Sequence, residues 1–350
     1  MNRSLSPYLD LVRVACAVLV VLSHLGHGHL VGGALWRFTA LGNEAVMAFF
    51  VLSGFVIAYV ADQRETTLSA YTAARLARLY SVILPAMALT ALLDVVGHSI
   101  NAESYVATHA HAAGSAAMGY GLSLVMLNQS WGLAQHFGSN AAYWSIPYEF
   151  WYYAMFGAAT YLSGWQRWAA VAGAAALAGP DILVLLPVWL LGVGTYRLLK
   201  SGPPPLLRAG AAALGSLLVL CLMLWRDSSS NGQDSFATMV PNSLTWKYLI
   251  GLLVALHIYG MATCAQYLQS LLKRIEKPLA PMSGATLALY LFHLPVIGVI
   301  HAFAVEYGKS DYTTAALLLL PPAVALTFGR WCELQKTPLR RLLLRQIVIR

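Results

Sequence analysis

Charge is what this sequence has least of. Only 10% of its 350 residues are Asp, Glu, Lys or Arg, against about 25% in a soluble domain. Acidic residues are the scarcer kind, 14 against 22 Lys and Arg. Hydrophobic residues make up 59% of the chain, and its mean hydropathy is +0.63. These figures exclude a soluble globular enzyme, and the apolar, aromatic content excludes disorder. Cysteine is sparse as well. Cys16, Cys221, Cys264 and Cys332 share no CxxC spacing and fall in or beside apolar runs. They read as small buried hydrophobes, with no disulfide or metal framework expected. Long hydrophilic inserts are also missing, so no separate soluble domain is expected.

What remains is a series of apolar stretches. A bilayer core needs about 20 apolar residues per helix. Ten stretches can be marked, at 8–30, 41–61, 73–97, 145–163, 166–179, 182–199, 205–225, 246–268, 283–304 and 312–334. The expected fold is all-α, a polytopic membrane protein of about ten transmembrane helices. Gly179-Pro180-Asp181 separates the fifth stretch from the sixth and leaves open a hairpin that only dips into the bilayer. The first stretch has no A-x-A cleavage site and is expected to be retained. Residues 1–334 are the expected membrane domain. Residues 335–350 are a basic tail, either an amphipathic helix on the membrane surface or a solvated segment.

Basic residues set orientation. With the N-terminus in the cytoplasm, 18 of the 22 Lys and Arg lie at cytoplasmic ends and 4 outside. Both termini are therefore expected in the cytoplasm of a cell whose inner membrane carries the protein. The +8 net charge then reflects topology and not nucleic-acid binding. The longest outer segment, His98 to Tyr143, holds His98, His109, His111 and His136, and Asn128-Gln-Ser130 matches a glycosylation sequon weakly.

Ionisable groups inside membrane helices are costly and mark function. On the first helix, Arg13 and His24 are eleven positions apart. Eleven residues are close to three turns, so both lie on one face, separated by a rise of about 16 Å. Asp10 is placed to pair with Arg13. His27 and His29 read as outer-surface residues. Ser53-Gly54 in the second span suits close helix approach, and Glu44 reads as solvated near the outer interface. Arg75 and Arg78 share a helix face at the cytoplasmic end. Topology anchoring accounts for them, and so does phosphate binding through guanidinium forks. Ser145 fits an N-cap and Pro147 a first-turn position. That places Glu149 about one turn deep, among aromatics that an interfacial belt explains while it leaves Glu149 unexplained. His293 falls near the midplane of its span, and Arg330 and Glu333 are spaced to pair.

In this order the residues resemble the bacterial acyltransferase family 3, in its stand-alone integral-membrane form. The resemblance runs nearly full length. Arg13 followed by ten residues and His24 is similar to the family's opening motif, and Phe49-Phe-Val-Leu-Ser-Gly-Phe55 to its second-helix signature. Arg75-Leu-Ala-Arg78 matches its Arg-x-x-Arg. Trp144-Ser-Ile-Pro-Tyr-Glu149-Phe-Trp-Tyr152 resembles its Trp-Ser-Leu…Glu…Phe-Tyr segment. Tyr290-Leu-Phe-His293-Leu-Pro295 resembles its Tyr-Leu-x-His-x-Pro, and Glu333 with Thr337-Pro338-Leu-Arg340 echoes its closing Glu-x-Pro-x-Arg. Asn43-Glu44 departs from the family's usual Gly-Val-Asp, and the closing motif is stretched.

The resemblance implies transfer of an acyl group, most commonly acetyl, from cytosolic acyl-CoA to a hydroxyl. The hydroxyl is often that of a surface polysaccharide or lipopolysaccharide precursor. Arg13, Arg75 and Arg78 are the expected partners of the donor's phosphates, and the Arg13–His24 rise is of the order of a pantetheine arm. His24 is the expected catalytic base, with an acyl-histidine route left open. Glu149 is expected to orient His24 or position the acceptor. Asp10, Ser53, Trp144, Tyr290 and His293 are expected along the channel. No metal is expected. The expected partners are the bilayer, acyl-CoA and a carbohydrate, with glycan-biosynthesis machinery or a second copy also possible. A glycan transporter or flippase without chemistry is the alternative.

Overall fold

The computed structural model describes residues 4–26, 30–31, 35–109, 115–229 and 243–348. His27, His29, His111, Arg3 and Arg350 lie outside the described residues, as do the side chains of His109 and Arg226. Among the described residues every regular element is a helix. In chain order these are α1 (Leu5–Gly26), α2 (Leu41–Gln63), α3 (Leu68–Ile100), α4 (Ala102–His109) and α5 (Ala116–Leu124). Next come α6 (Ser145–Tyr161), α7 (Gly164–Ala178), α8 (Pro180–Leu183), α9 (Leu186–Lys200) and α10 (Leu206–Ser229). The series ends with α11 (Leu244–Cys264), α12 (Gln269–Gly284), α13 (Thr286–Tyr307), α14 (Asp311–Val324), α15 (Arg330–Leu334) and α16 (Lys336–Val348).

Local chemistry sets many of the boundaries. The Thr67 hydroxyl caps α3 by accepting from the Ala70 amide at 3.2 Å, and Ser243 caps α11 by accepting from Trp246 at 3.2 Å. Between α7 and α8 stands Gly179 at φ +80°, followed by Pro180. A left-handed glycine followed by proline stops one helix and starts the next, which accounts for the break expected there. Among the described residues, eight helical stretches are long and apolar enough to cross a membrane. The helices α6 and α7, 17 and 15 residues long, fall short of that length. The chain is a multi-pass, all-helical membrane protein.

The helices sort into two compact units, Met1–Gln63 with Leu185–Ser283, and Arg64–Val184 with Gly284–Arg350. In the first, α2 packs on α1 and α9, and α11 packs on α2, α9 and α10. The α2–α9 contact is glycine-mediated from both sides. A Cβ at Gly54 would overlap the Trp189 carbonyl, and one at Gly192 would overlap the Val51 carbonyl. This is the close approach expected of Ser53-Gly54, and Trp189 donates its indole N–H to Ser53 Oγ at 3.2 Å. Glu44 is not at a solvated interface. It is buried and accepts from the Trp246 indole at 3.1 Å, because α11 covers the start of α2.

In the second unit α3 is the axis, packed by α4, α6, α13, α15 and α16. Asp94 on α3 accepts from Tyr105 at 2.6 Å and from the Ser139 amide at 3.0 Å. Burial, and after it the Asp94 hydrogen bond, pushes the Tyr105 phenol above its usual range and keeps it a donor. Asn128 is fully buried and donates to the Gln135 carbonyl at 2.7 Å, so the sequon has no accessible amide. The pair expected between Arg330 and Glu333 is replaced by one between Lys336 and Glu333 at 3.3 Å. Cys16 and Cys332 are buried as expected, whereas Cys221 is exposed, and all four thiols are free.

Candidate active site

Among the described residues, the polar side chains expected at the site fall into one group in each unit. The first lies on α1. Asp10 Oδ1 accepts from Arg13 Nη1 at 3.1 Å, the i,i+3 pair read from the sequence. The same oxygen accepts from Ser283 Oγ at 2.6 Å. Asp10 and Ser283 thereby tie the start of α1 to the end of α12, and Arg13 is fixed between them. A guanidinium has five N–H donors, so one carboxylate does not exhaust it.

Higher on α1, His24 Nδ1 lies 2.9 Å from the Val20 carbonyl oxygen. A carbonyl only accepts, so Nδ1 carries the hydrogen in this bond. In the neutral ring the lone pair is then on Nε2. A backbone carbonyl one turn earlier has thus selected a tautomer whose Nε2 can accept a proton. Ser53, on α2 of the same unit, is held by Trp189 as described above.

The second group centres on α3 and α6. Arg75 is 9% exposed, and its Nη2 donates to Glu65 Oε1 at 2.7 Å. Its guanidinium sits over the Tyr71 ring at 5.6 Å and over the Tyr153 ring at 5.9 Å. Tyr71 donates to the Tyr153 carbonyl at 3.1 Å. Tyr153 in turn donates its hydroxyl to Glu149, one turn back on α6. Arg78, half-buried on α3, lies within electrostatic range of Tyr153, Glu149 and Glu333.

Ser145 does not cap α6. A 3-10 turn over Ala141–Trp144 gives Trp144 helical dihedrals, so the helix starts earlier, and the Ser145 hydroxyl lies 2.8 Å from that of Tyr290. Trp144 itself packs edge-on against Tyr148 at 5.4 Å. His293 is fully buried, with Nδ1 3.0 Å from the Leu289 carbonyl and its ring beside Tyr290.

These contacts gather the expected residues into two sets. Asp10, Arg13, His24 and Ser53 belong to one unit, and Arg75, Arg78, Trp144, Glu149, Tyr290 and His293 to the other. The acyltransferase domain family profile, Acyl_transf_3, matches residues 6–329. The chain belongs to this acyltransferase family. No curated protein and no solved structure matches it.

Sequence reasoning missed several residues of this acyltransferase. Glu65, 4% exposed, is the partner of Arg75, yet it lies in the short link before α3, where a carboxylate reads as solvated. Tyr71 and Tyr153 carry no sign of their stacking on Arg75, apart from the four-residue interval between Glu149 and Tyr153. His257 was missed altogether. Its Nδ1 lies 2.9 Å from the Ala213 carbonyl, and Tyr8 meets its Nε2, so it joins α1, α10 and α11. A histidine inside an apolar span was the available signal.

Proposed function

We propose that this acyltransferase moves an acyl group, most commonly acetyl, from cytosolic acyl-CoA to a hydroxyl of a carbohydrate. The acceptor is a surface polysaccharide or lipopolysaccharide precursor at the bacterial inner membrane. The observation that supports it most is the His24 tautomer. His24 Nδ1 is bound to a backbone carbonyl, which leaves the lone pair of the neutral ring on Nε2, on a helix that carries Arg13 about three turns below.

In this reading His24 Nε2 takes the proton of the acceptor hydroxyl. The hydroxyl oxygen attacks the thioester carbonyl, the carbon–sulfur bond breaks, and the CoA thiolate leaves and takes up the proton from His24. An acyl-histidine intermediate is the second route. Arg13 and Arg78 bind donor phosphates, since guanidinium forks match them. Glu149 positions the acceptor by accepting from its hydroxyls. Asp10 orients Arg13, and Ser53, Trp144, Tyr290 and His293 line the path. Membership of an acyltransferase family favours this reading over a transporter without chemistry.

The test is purified protein with radiolabelled acetyl-CoA and a surface-glycan extract. Label should pass to glycan, and Glu149→Gln should lower turnover by about tenfold or more while the protein still elutes as a folded species. Full activity of Glu149→Gln would make that carboxylate structural.

A further inference from the structure

Arg75 belongs to the family-like Arg-x-x-Arg, and its sequence context suggests a ligand for donor phosphate. Its surroundings suit another task. The guanidinium is buried, its Nη2 is held by Glu65 at 2.7 Å, and aromatic rings cover it on Tyr71 and Tyr153. Glu65 is itself fixed from behind, because Tyr161 donates to its backbone carbonyl at 2.6 Å. Glu65 already compensates the buried Arg75 charge, and a donor phosphate that displaced it would leave a buried carboxylate uncompensated at high cost. The cavity that Arg75 borders, about 400 Å³ between α3, α6 and α7, is a poor environment for an anion. Leu68, Leu76, Phe150, Leu162 and a series of Ala and Gly line most of it, and such walls would strip a phosphate of water without replacing it.

What Arg75 does touch leads to Glu149. Its guanidinium lies against the ring of Tyr153, and the Tyr153 hydroxyl is bonded to the Glu149 carboxylate. Tyr71 fixes the same segment from the other side through the Tyr153 carbonyl. We propose that Arg75 is a positioning residue: Glu65 anchors it, it holds Tyr153, and Tyr153 sets the orientation of the Glu149 carboxylate. Arg78, three residues on, lies within electrostatic range of Glu149 and is left as the member of the pair proposed to bind the donor. The inference rests on Glu149 acting in turnover, as proposed above.

The experiment is steady-state kinetics on the full-length protein, with acetyl-CoA as donor and the surface-glycan extract as acceptor. Tyr153→Phe keeps the ring under Arg75 and removes the hydroxyl. Arg75→Lys keeps the charge beside Glu65 and removes the planar group stacked on Tyr153. Each is measured alone and with Glu149→Asp, whose shortened carboxylate no longer meets Tyr153. Each single variant should lose about ten- to a hundredfold in kcat, with the KM for acetyl-CoA within about twofold of wild type. Neither should lower kcat further in the Glu149→Asp background, because all three act through one carboxylate.

A large rise in the acetyl-CoA KM of Arg75→Lys at unchanged kcat would make Arg75 a donor ligand and overturn the proposal. So would losses that multiply across Tyr153→Phe and Glu149→Asp. Wild-type kcat in Tyr153→Phe beside an impaired Glu149→Gln would overturn the positioning role and leave the function standing. An active Glu149→Gln would remove the function of Glu149 and with it the basis of this inference. Elution volume and thermal unfolding in detergent separate these outcomes from misfolding, and Tyr153→Phe, which removes one oxygen, is the variant least able to misfold.

Discussion

A neutral histidine whose Nδ1 donates to a carbonyl carries its lone pair on Nε2, so the backbone sets which nitrogen can accept a proton. His24 has this geometry through Val20, and His293 has it through Leu289. The two differ in burial, with His293 fully enclosed and His24 partly exposed. His24→Ala should therefore reduce acylation by at least about a hundredfold, the usual contribution of a general base, with membrane insertion intact. Radiolabel transfer and membrane fractionation check this. The polar residues differ too in what holds them. Glu65 and Arg75 are both buried, so Glu65→Ala leaves an unpaired guanidinium and should cost about 3–5 kcal/mol, read as a fall in the unfolding temperature. Some of this was legible in the sequence. Asp10–Arg13 is an i,i+3 pair on one helix, and local spacing decides it. Glu65–Arg75 crosses a helix start and depends on how the link before α3 folds back. The burial of Glu44 depends on α11, some two hundred residues further along.

At the scale of elements, apolar runs located the helices well, because hydrocarbon length and hydrogen-bond satisfaction leave the backbone few choices. Ends were less legible. The 3-10 turn over Ala141–Trp144 moves the start of α6, and α3 runs on to Ile100 past its apolar stretch. Packing partners were not legible either, since lipid-facing and helix-facing residues are equally apolar. Gly54 and Gly192 show where contact is tightest. Gly54→Val should destabilise the protein by about 1–3 kcal/mol or more, because α2 and α9 must separate. Gly215→Ala is the control, since nothing lies within 4 Å of the added Cβ. It should be neutral or stabilising by up to about 1 kcal/mol. Detergent thermal melts of the two variants check both expectations.

At the scale of the whole molecule, the sequence order of the helices hides the division into two units. One unit joins the first two helices to α9–α12, and the other joins α3–α8 to the C-terminal helices. No property of a single helix announces that pairing, because each helix buries an apolar surface that many partners would satisfy. The asymmetry of Lys and Arg predicts an orientation with the N-terminus in the cytoplasm. In a cysteine-free background, Ser201→Cys should react with a membrane-impermeant maleimide only after the inner face is opened, and Lys309→Cys should react in intact cells. The reverse pattern would invert the proposed topology and put the Arg13 end of α1 outside. The central claim is acyl transfer through His24, and one measurement bears on it most directly. Purified wild-type and His24→Ala proteins are each incubated with radiolabelled acetyl-CoA and surface-glycan extract, and glycan-bound label is counted. Label on glycan with wild type and background counts with His24→Ala is the predicted result. Equal labelling by the two proteins, or none by wild type, would contradict it.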